Sequence, residues 1–154
     1  MYGETDAIVA TKTAQAQETG LNSIVCIGEQ LEERENGTTN DVLKTQLSAF
    51  KDSVKDWSRV VIAYEPVWAI GTGKTASPEI AQETHAFIRS WVAQNCGEEI
   101  AANVRIQYGG SVNAKNAADL ISQPDIDGFL VGGASLKPDF NEVIKAVNNV
   151  QGQA

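Results

Sequence analysis

Glu65 has the clearest potential for chemistry, because of what surrounds it in the chain. Val60 to Ala63 is an apolar run short enough to be a buried strand. Glu65 ends that run, and Pro66, which lacks an N–H, stops the ladder and biases Glu65 towards an extended conformation. A carboxylate at the C-terminal end of a buried parallel strand lies where α/β barrels do their chemistry; the plainer alternative is a strand that ends on a solvated Glu. Trp68-Ala-Ile-Gly71-Thr-Gly73 follows, with bulky residues at one end and two glycines suited to hinging, the pattern of a lid over Pro66–Ala76. Gly109-Gly110-Ser111 and Gly132-Gly133-Ala134 are a second kind of signal. A glycine pair at a strand end lets backbone N–H groups approach an anion with no Cβ in the way. A lone pair is also an ordinary tight turn. Two pairs at equivalent positions on successive strands point to phosphate, which barrels often bind in the loops after their last two strands.

These groups need elements to position them. Thr5 caps a helix that stops at Gly20, and Ser23–Ile27 reads as a buried strand before Gly28-Glu29. A short charged helix spans Gln30 to Asn36. A longer one starts near Thr39 and carries Leu43, Leu47, Phe50 and Val54 on one face. After the lid, Ser77-Pro78-Glu79 reads as N-cap, N1 and first turn of a helix that buries Ile80, Phe87, Ile88 and Trp91 and ends near Gly97. Val104–Tyr108 and Phe129–Val131 are further strands, each meeting a glycine pair. Asn113 caps a short helix through Leu120 and Ile121, and a last helix buries Phe140, Val143, Ile144 and Val147. A helix followed by four strand–helix units predicts a parallel α/β sheet, and no composition shift divides the chain into domains.

The chain has 154 residues, with 42% hydrophobic and 21% charged, a soluble globular composition. Its formal net charge of −8 argues against a nucleic-acid or anionic-membrane partner, so any phosphate must be held by local groups. Cys26 and Cys96 have no metal-like spacing and read as reduced thiols, Cys26 as a small hydrophobe. No signal peptide or membrane-length apolar run is visible, and the cytoplasm is the expected location. His85, the single histidine, falls inside a helix, away from the strand ends, and reads as packing or surface.

The 17 residues from Val60 to Ala76, Val-Val-Ile-Ala-Tyr-Glu-Pro-Val-Trp-Ala-Ile-Gly-Thr-Gly-Lys-Thr-Ala, closely resemble the signature of triosephosphate isomerase. The resemblance runs from Gly3 to about Val147. It implies strands five to eight of that family's (β/α)8 barrel, which typically takes about 250 residues. It also implies the family's reaction, the interconversion of dihydroxyacetone phosphate and glyceraldehyde 3-phosphate in glycolysis and gluconeogenesis without a cofactor, through an enediolate. By resemblance Glu65 is the base. Gly71, Ser111, Gly132 and Gly133 fall where the family contacts the substrate phosphate, and Pro66, Val67, Trp68, Ala69, Ile70, Gly71, Thr72, Gly73, Lys74, Thr75 and Ala76 form the closing lid. Trp68 would pack the lid hinge, and Lys74 is a surface lysine or a clamp on the closed lid. Arg89 and Asp127 match a buried structural ion pair, and Glu29 suits a structural hydrogen bond. The family's electrophilic His lies in a Gly-His-Ser-Glu-Arg-Arg-like segment that ends just before this chain begins. Its catalytic Asn and Lys, at the end of strand one, have no counterpart here either. One preorganised donor to a developing oxyanion contributes roughly 3–4 kcal/mol. Little or no activity is therefore expected of the isolated chain. Four strands are expected to leave open edges near Ser23 and Phe129, coverable by a second copy or a separate N-terminal half. The family's usual homodimer contact, a loop after strand three, has no counterpart. The alternative is a non-catalytic half-barrel that binds a phosphate ester or pairs with another half.

Overall fold

A computed structural model describes residues 3–70 and 75–151. The order is α1 (Asp6–Glu18), β1 (Ser23–Ile27), α2 (Leu31–Glu35), α3 (Thr39–Lys51), β2 (Val60–Tyr64), α4 (Pro78–Cys96), α5 (Glu98–Asn103), β3 (Arg105–Tyr108), α6 (Ala117–Ile121), β4 (Gly128–Phe129) and α7 (Phe140–Gln151). The strands form one parallel sheet in the order β1-β2-β3-β4. Sequential parallel strands joined by helices are the expected α/β arrangement, a partial barrel of four strands with edges at β1 and β4.

Local chemistry sets the element ends as anticipated in several places. Thr5 accepts a hydrogen bond from the Ile8 amide at the start of α1. Gly20, at φ 72, follows its end and adopts the left-handed conformation that a Cβ disfavours. Ser77 caps α4, accepting from the Ile80 amide, with Pro78 at N1. Other boundaries differ. Val54 lies beyond α3, which stops at Lys51. Asn113–Asn116 is a turn closed by the Asn113 and Asn116 side chains rather than a helical start, so α6 begins only at Ala117. The last strand is confined to Gly128–Phe129 and does not reach Val131. Helix α5 was not anticipated; its first turn follows directly on Gly97, whose φ of 114 breaks α4.

The expectation of a fully buried first strand needs correction. Val25 and Ile27 of β1 are buried, but Ile24 is 51% exposed and Cys26 is exposed. The pleat explains this. Val25, Ile27, Val60, Ile62, Tyr64, Ile106 and Tyr108 share one buried cluster with Leu43, Leu47 and Phe50 of α3 and Ile88, Trp91 and Val92 of α4. The opposite face aligns Ile24, Val61 and Arg105 in one row, and Cys26, Ala63, Gln107 and Gly128 in the next. In a closed barrel that second face is the packed interior. Here it is open at β1, while β2, between neighbours, is buried throughout.

Arg89 ties three elements together. Its guanidinium donates to Asp125 and Asp127, at 2.7 Å each, and to the carbonyls of Ala101 and Val104. Asp127 also accepts from the Ile106 amide at 2.7 Å. The anticipated Arg89–Asp127 pair is therefore present, with Asp125 added, but it is half-buried rather than buried. His85 is fully buried, edge-on to Tyr64. Its Nδ1 lies 3.0 Å from the Asp125 carbonyl, which can only accept, so Nδ1 carries the proton. Nε2 has no partner among the described residues.

Burial pushes the His85 imidazole down from 6.5 to about 4. Between those values the unfolded chain binds a proton that the folded chain does not. The neutral ring's contribution is complete above pH 6.5 and is lost as pH falls towards 4, by at most about 1.4 kcal/mol per unit. Urea midpoints measured from pH 4 to 7 should show this as a pH-dependent gap between the parent chain and His85→Gln. A constant gap across that range would exclude a buried neutral His85.

Candidate active site

Glu65 directly follows β2, and alternation places it on the same face as Val61 and Ala63, opposite Tyr64. Two glycines make room for it. A Cβ on Gly28 would lie 1.8 Å from the Glu65 carbonyl oxygen, and one on Gly109 would lie 2.6 Å from the Glu65 Cγ. No side chain larger than hydrogen fits at either place without moving the carboxylate or its backbone. Gly28 is fixed by Gln46, which accepts from its amide at 2.8 Å and donates to its carbonyl at 3.1 Å. Cys26, from the neighbouring strand, lies on the same face of the sheet as Glu65 and interacts with its carboxylate. Desolvation pushes the Glu65 carboxyl above its usual range, and the neighbouring Cys26 thiol offsets this in part.

The segment after Glu65 is anchored on the helix-facing side. Val67–Ala69 forms a single 3-10 turn. Trp68 Nε1 donates to Glu29 at 3.0 Å, and the Tyr64 hydroxyl donates to the same oxygen at 3.1 Å. Glu29 is fully buried, with Arg34 at 3.8 Å, so its structural reading fits the geometry. Ser111 Oγ donates to the Ala69 carbonyl at 2.7 Å. Further on, the Ala76 amide donates to the Tyr108 hydroxyl at 3.3 Å. Both ends of Pro66–Ala76 are thus tied to groups at strand ends. Gly71, Thr72, Gly73 and Lys74, including the anticipated glycine hinges and one anticipated phosphate contact, lie outside the described residues.

The two glycine pairs line one cavity of about 410 Å³, together with Ile70, Ser111, Val112, Ala134 and Lys137. Gly109 belongs to this lining and also carries the Glu65 side chain against it, so carboxylate and cavity are adjacent. Ser111, Gly132 and Gly133 therefore line one cavity with Gly109, the glycine that the Glu65 side chain lies against. His85 does not join them, since it packs between Tyr64 and Tyr108 on the helix side of the sheet. Sequence reasoning passed over Tyr64, Tyr108, Gly28 and Lys137. The tyrosines carried a usable signal: each is the last strand residue before a singled-out group, Glu65 or Gly109, and alternation aims it at the opposite face.

A family model described as triosephosphate isomerase matches residues 1–147. The chain belongs to the triosephosphate isomerase family. The four parallel strands alternating with helices agree with that membership. By family resemblance the chain is an isomerase. Among the described residues, no three His, Cys, Asp or Glu side chains converge to hold a metal. No described helix is long and apolar enough to cross a membrane.

The Cys26–Glu65 contact has a measurable signature. Although the residue as a whole is exposed, desolvation of its sulfur by neighbouring protein and then the Glu65 charge push the Cys26 thiol up to about 11. Removing the charge in Glu65→Gln should lower the Cys26 value, leaving it above the free-thiol range because desolvation persists. The pH profile of iodoacetamide alkylation, read in a Cys96→Ser background, measures it. An unchanged profile would rule the contact out.

Proposed function

We propose that this chain is the C-terminal portion of a triosephosphate isomerase and supplies the base, lid and phosphate loops of its site. The observation that carries the reading is the position of Glu65. It is wedged over Gly109 at the rim of a cavity lined by two glycine pairs, and the chain on either side of residues 71–74 is tied to strand-end groups through Trp68 and Ala76. Glu65 takes a proton from the carbon next to the carbonyl of dihydroxyacetone phosphate. The resulting enediolate accepts the proton back at the neighbouring carbon, and glyceraldehyde 3-phosphate results. A raised pKa suits this role, since a more basic carboxylate abstracts a carbon-bound proton more readily. The glycine pairs and Ser111 hold the phosphate, and the lid excludes water while the enediolate exists.

The enediolate oxygen needs a donor on the far side of the substrate from Glu65. His85 is buried behind the sheet and does not meet that need. We place the missing donor and cation on a second half-barrel against β1, β4 and the open face that carries Ile24 and Cys26.

A coupled isomerase assay tests this, run on the chain alone and on the chain mixed with a separately produced half carrying strands one to four of the family. Turnover is expected in the mixture and not in the chain alone. Glu65→Gln should lower the mixture's rate by about 10²–10⁴-fold. The acid limb of the rate should lie above the usual carboxylate range, with activity lost as pH falls through the Glu65 pKa. Near-normal turnover by the chain alone would refute the half-site reading. A folded mixture without turnover would leave the non-catalytic phosphate-binding half-barrel.

A further inference from the structure

Lys137 stands at the junction of two cavities. It lines the cavity of the glycine pairs and also a second one, of about 260 Å³, bounded by Asn113, Ala114, Lys115, Asp139 and Phe140. Among the described residues lining the first cavity it carries the only charge. Its backbone is held at both ends, the amide donating to Ala134 and the carbonyl accepting from Phe140, at 3.1 and 3.0 Å. The side chain is exposed and forms no ion pair with a described residue. A fixed backbone beneath a long, unpaired ammonium is a cation free to reach into the space it borders.

The charge of the rest of the molecule gives such a cation a task. At a formal net charge of −8 the chain repels a phosphate monoester at long range. Backbone amides of glycine pairs act at contact and give no compensating long-range attraction. Lys115 adds a second positive charge at the lip of the adjoining cavity, and Asp139 subtracts one. The lip of that adjoining cavity is left with a net positive charge, set against the Glu65 carboxylate at the rim of the first cavity.

We infer that Lys137 is the cation with which this half of the site recruits phosphate, distinct from the catalytic cation placed on the second half-barrel. It draws a dianionic phosphate monoester to the glycine pairs and sets how steeply binding falls with salt. The inference rests on the phosphate reading of the cavity proposed above. Inorganic phosphate is the probe, titrated into the full 154-residue chain at about 20 mM and about 500 mM ionic strength, with amide shifts of Gly110, Gly132 and Gly133 as readout. Lys137→Gln should weaken binding about five- to tenfold at low salt and little at high salt, and Lys137→Arg should restore it. Ser111→Ala should weaken binding at both salts. If Lys137→Gln binds like the parent at both salts while Ser111→Ala binds more weakly, the phosphate site stands and Lys137 is not its cation. If the parent shows no phosphate-dependent shifts, the phosphate reading fails and the Lys137 inference with it.

Discussion

Crowding around Glu65 is the constraint that the rest of the site depends on. The residue is flanked by strand ends on both sides, and each neighbour closes to a distance that only a glycine allows. On one side the Glu65 backbone meets Gly28; on the other its side chain crosses Gly109. The carboxylate is held by sheet packing rather than by a partner of opposite charge, which is why its pKa rises. The ladder continues past the strands to secure this fit. The Glu65 amide donates to Ile27 at 2.7 Å, and the Gly109 amide donates to Tyr64 at 2.8 Å. A site built this way exchanges the favourable energy of a salt bridge for a base that is short of solvation.

Alternation along β2 and β3 then divides the labour. Tyr64 and Tyr108 face the helices, while Glu65 and Gly109 face the other side. The lid is anchored through the tyrosine side: Trp68 and Tyr64 meet on Glu29, and Ala76 meets Tyr108. His85 packs against both tyrosine rings, and its backbone-carbonyl partner, Asp125, also binds Arg89. A contiguous set of contacts, buried at Glu29, Tyr64, Tyr108 and His85, therefore joins the lid anchors to the half-buried ion-pair cluster before the last strand.

Much of the architecture was legible because the decisive residues act locally. Pro66 shortly after the Val60–Ala63 apolar run, Ser77-Pro78 before a helix and Gly20 after one each speak through their own backbone chemistry, and each element formed where expected. What the sequence hid depends on neighbours far along the chain. Gly28 and Gly109 matter only because Glu65, from another strand, lies against them. The half-exposure of β1 arises because nothing described covers one of its faces, a fact its apolar composition disguises. Helix α5 has no strong periodic signal in its six residues, and Asn113 satisfies a turn as readily as a helix cap. Lys137 looks like any surface lysine until the fold sets it beside both glycine pairs.

The exposed outer ladder of β1 has a consequence for how the molecule behaves in company. A five-residue strand with one free edge and a 51%-exposed isoleucine on its open face is a template for any extended segment, including the same strand of another molecule. Mutual repulsion between chains of net charge −8 opposes that encounter, and it acts over a Debye length of about 10 Å at 0.1 M salt. Colloidal stability therefore rests on electrostatic distance-keeping rather than on a protected edge. Raising the ionic strength, or approaching the isoelectric point near 4.6, removes the barrier and leaves the edge to select its own partner.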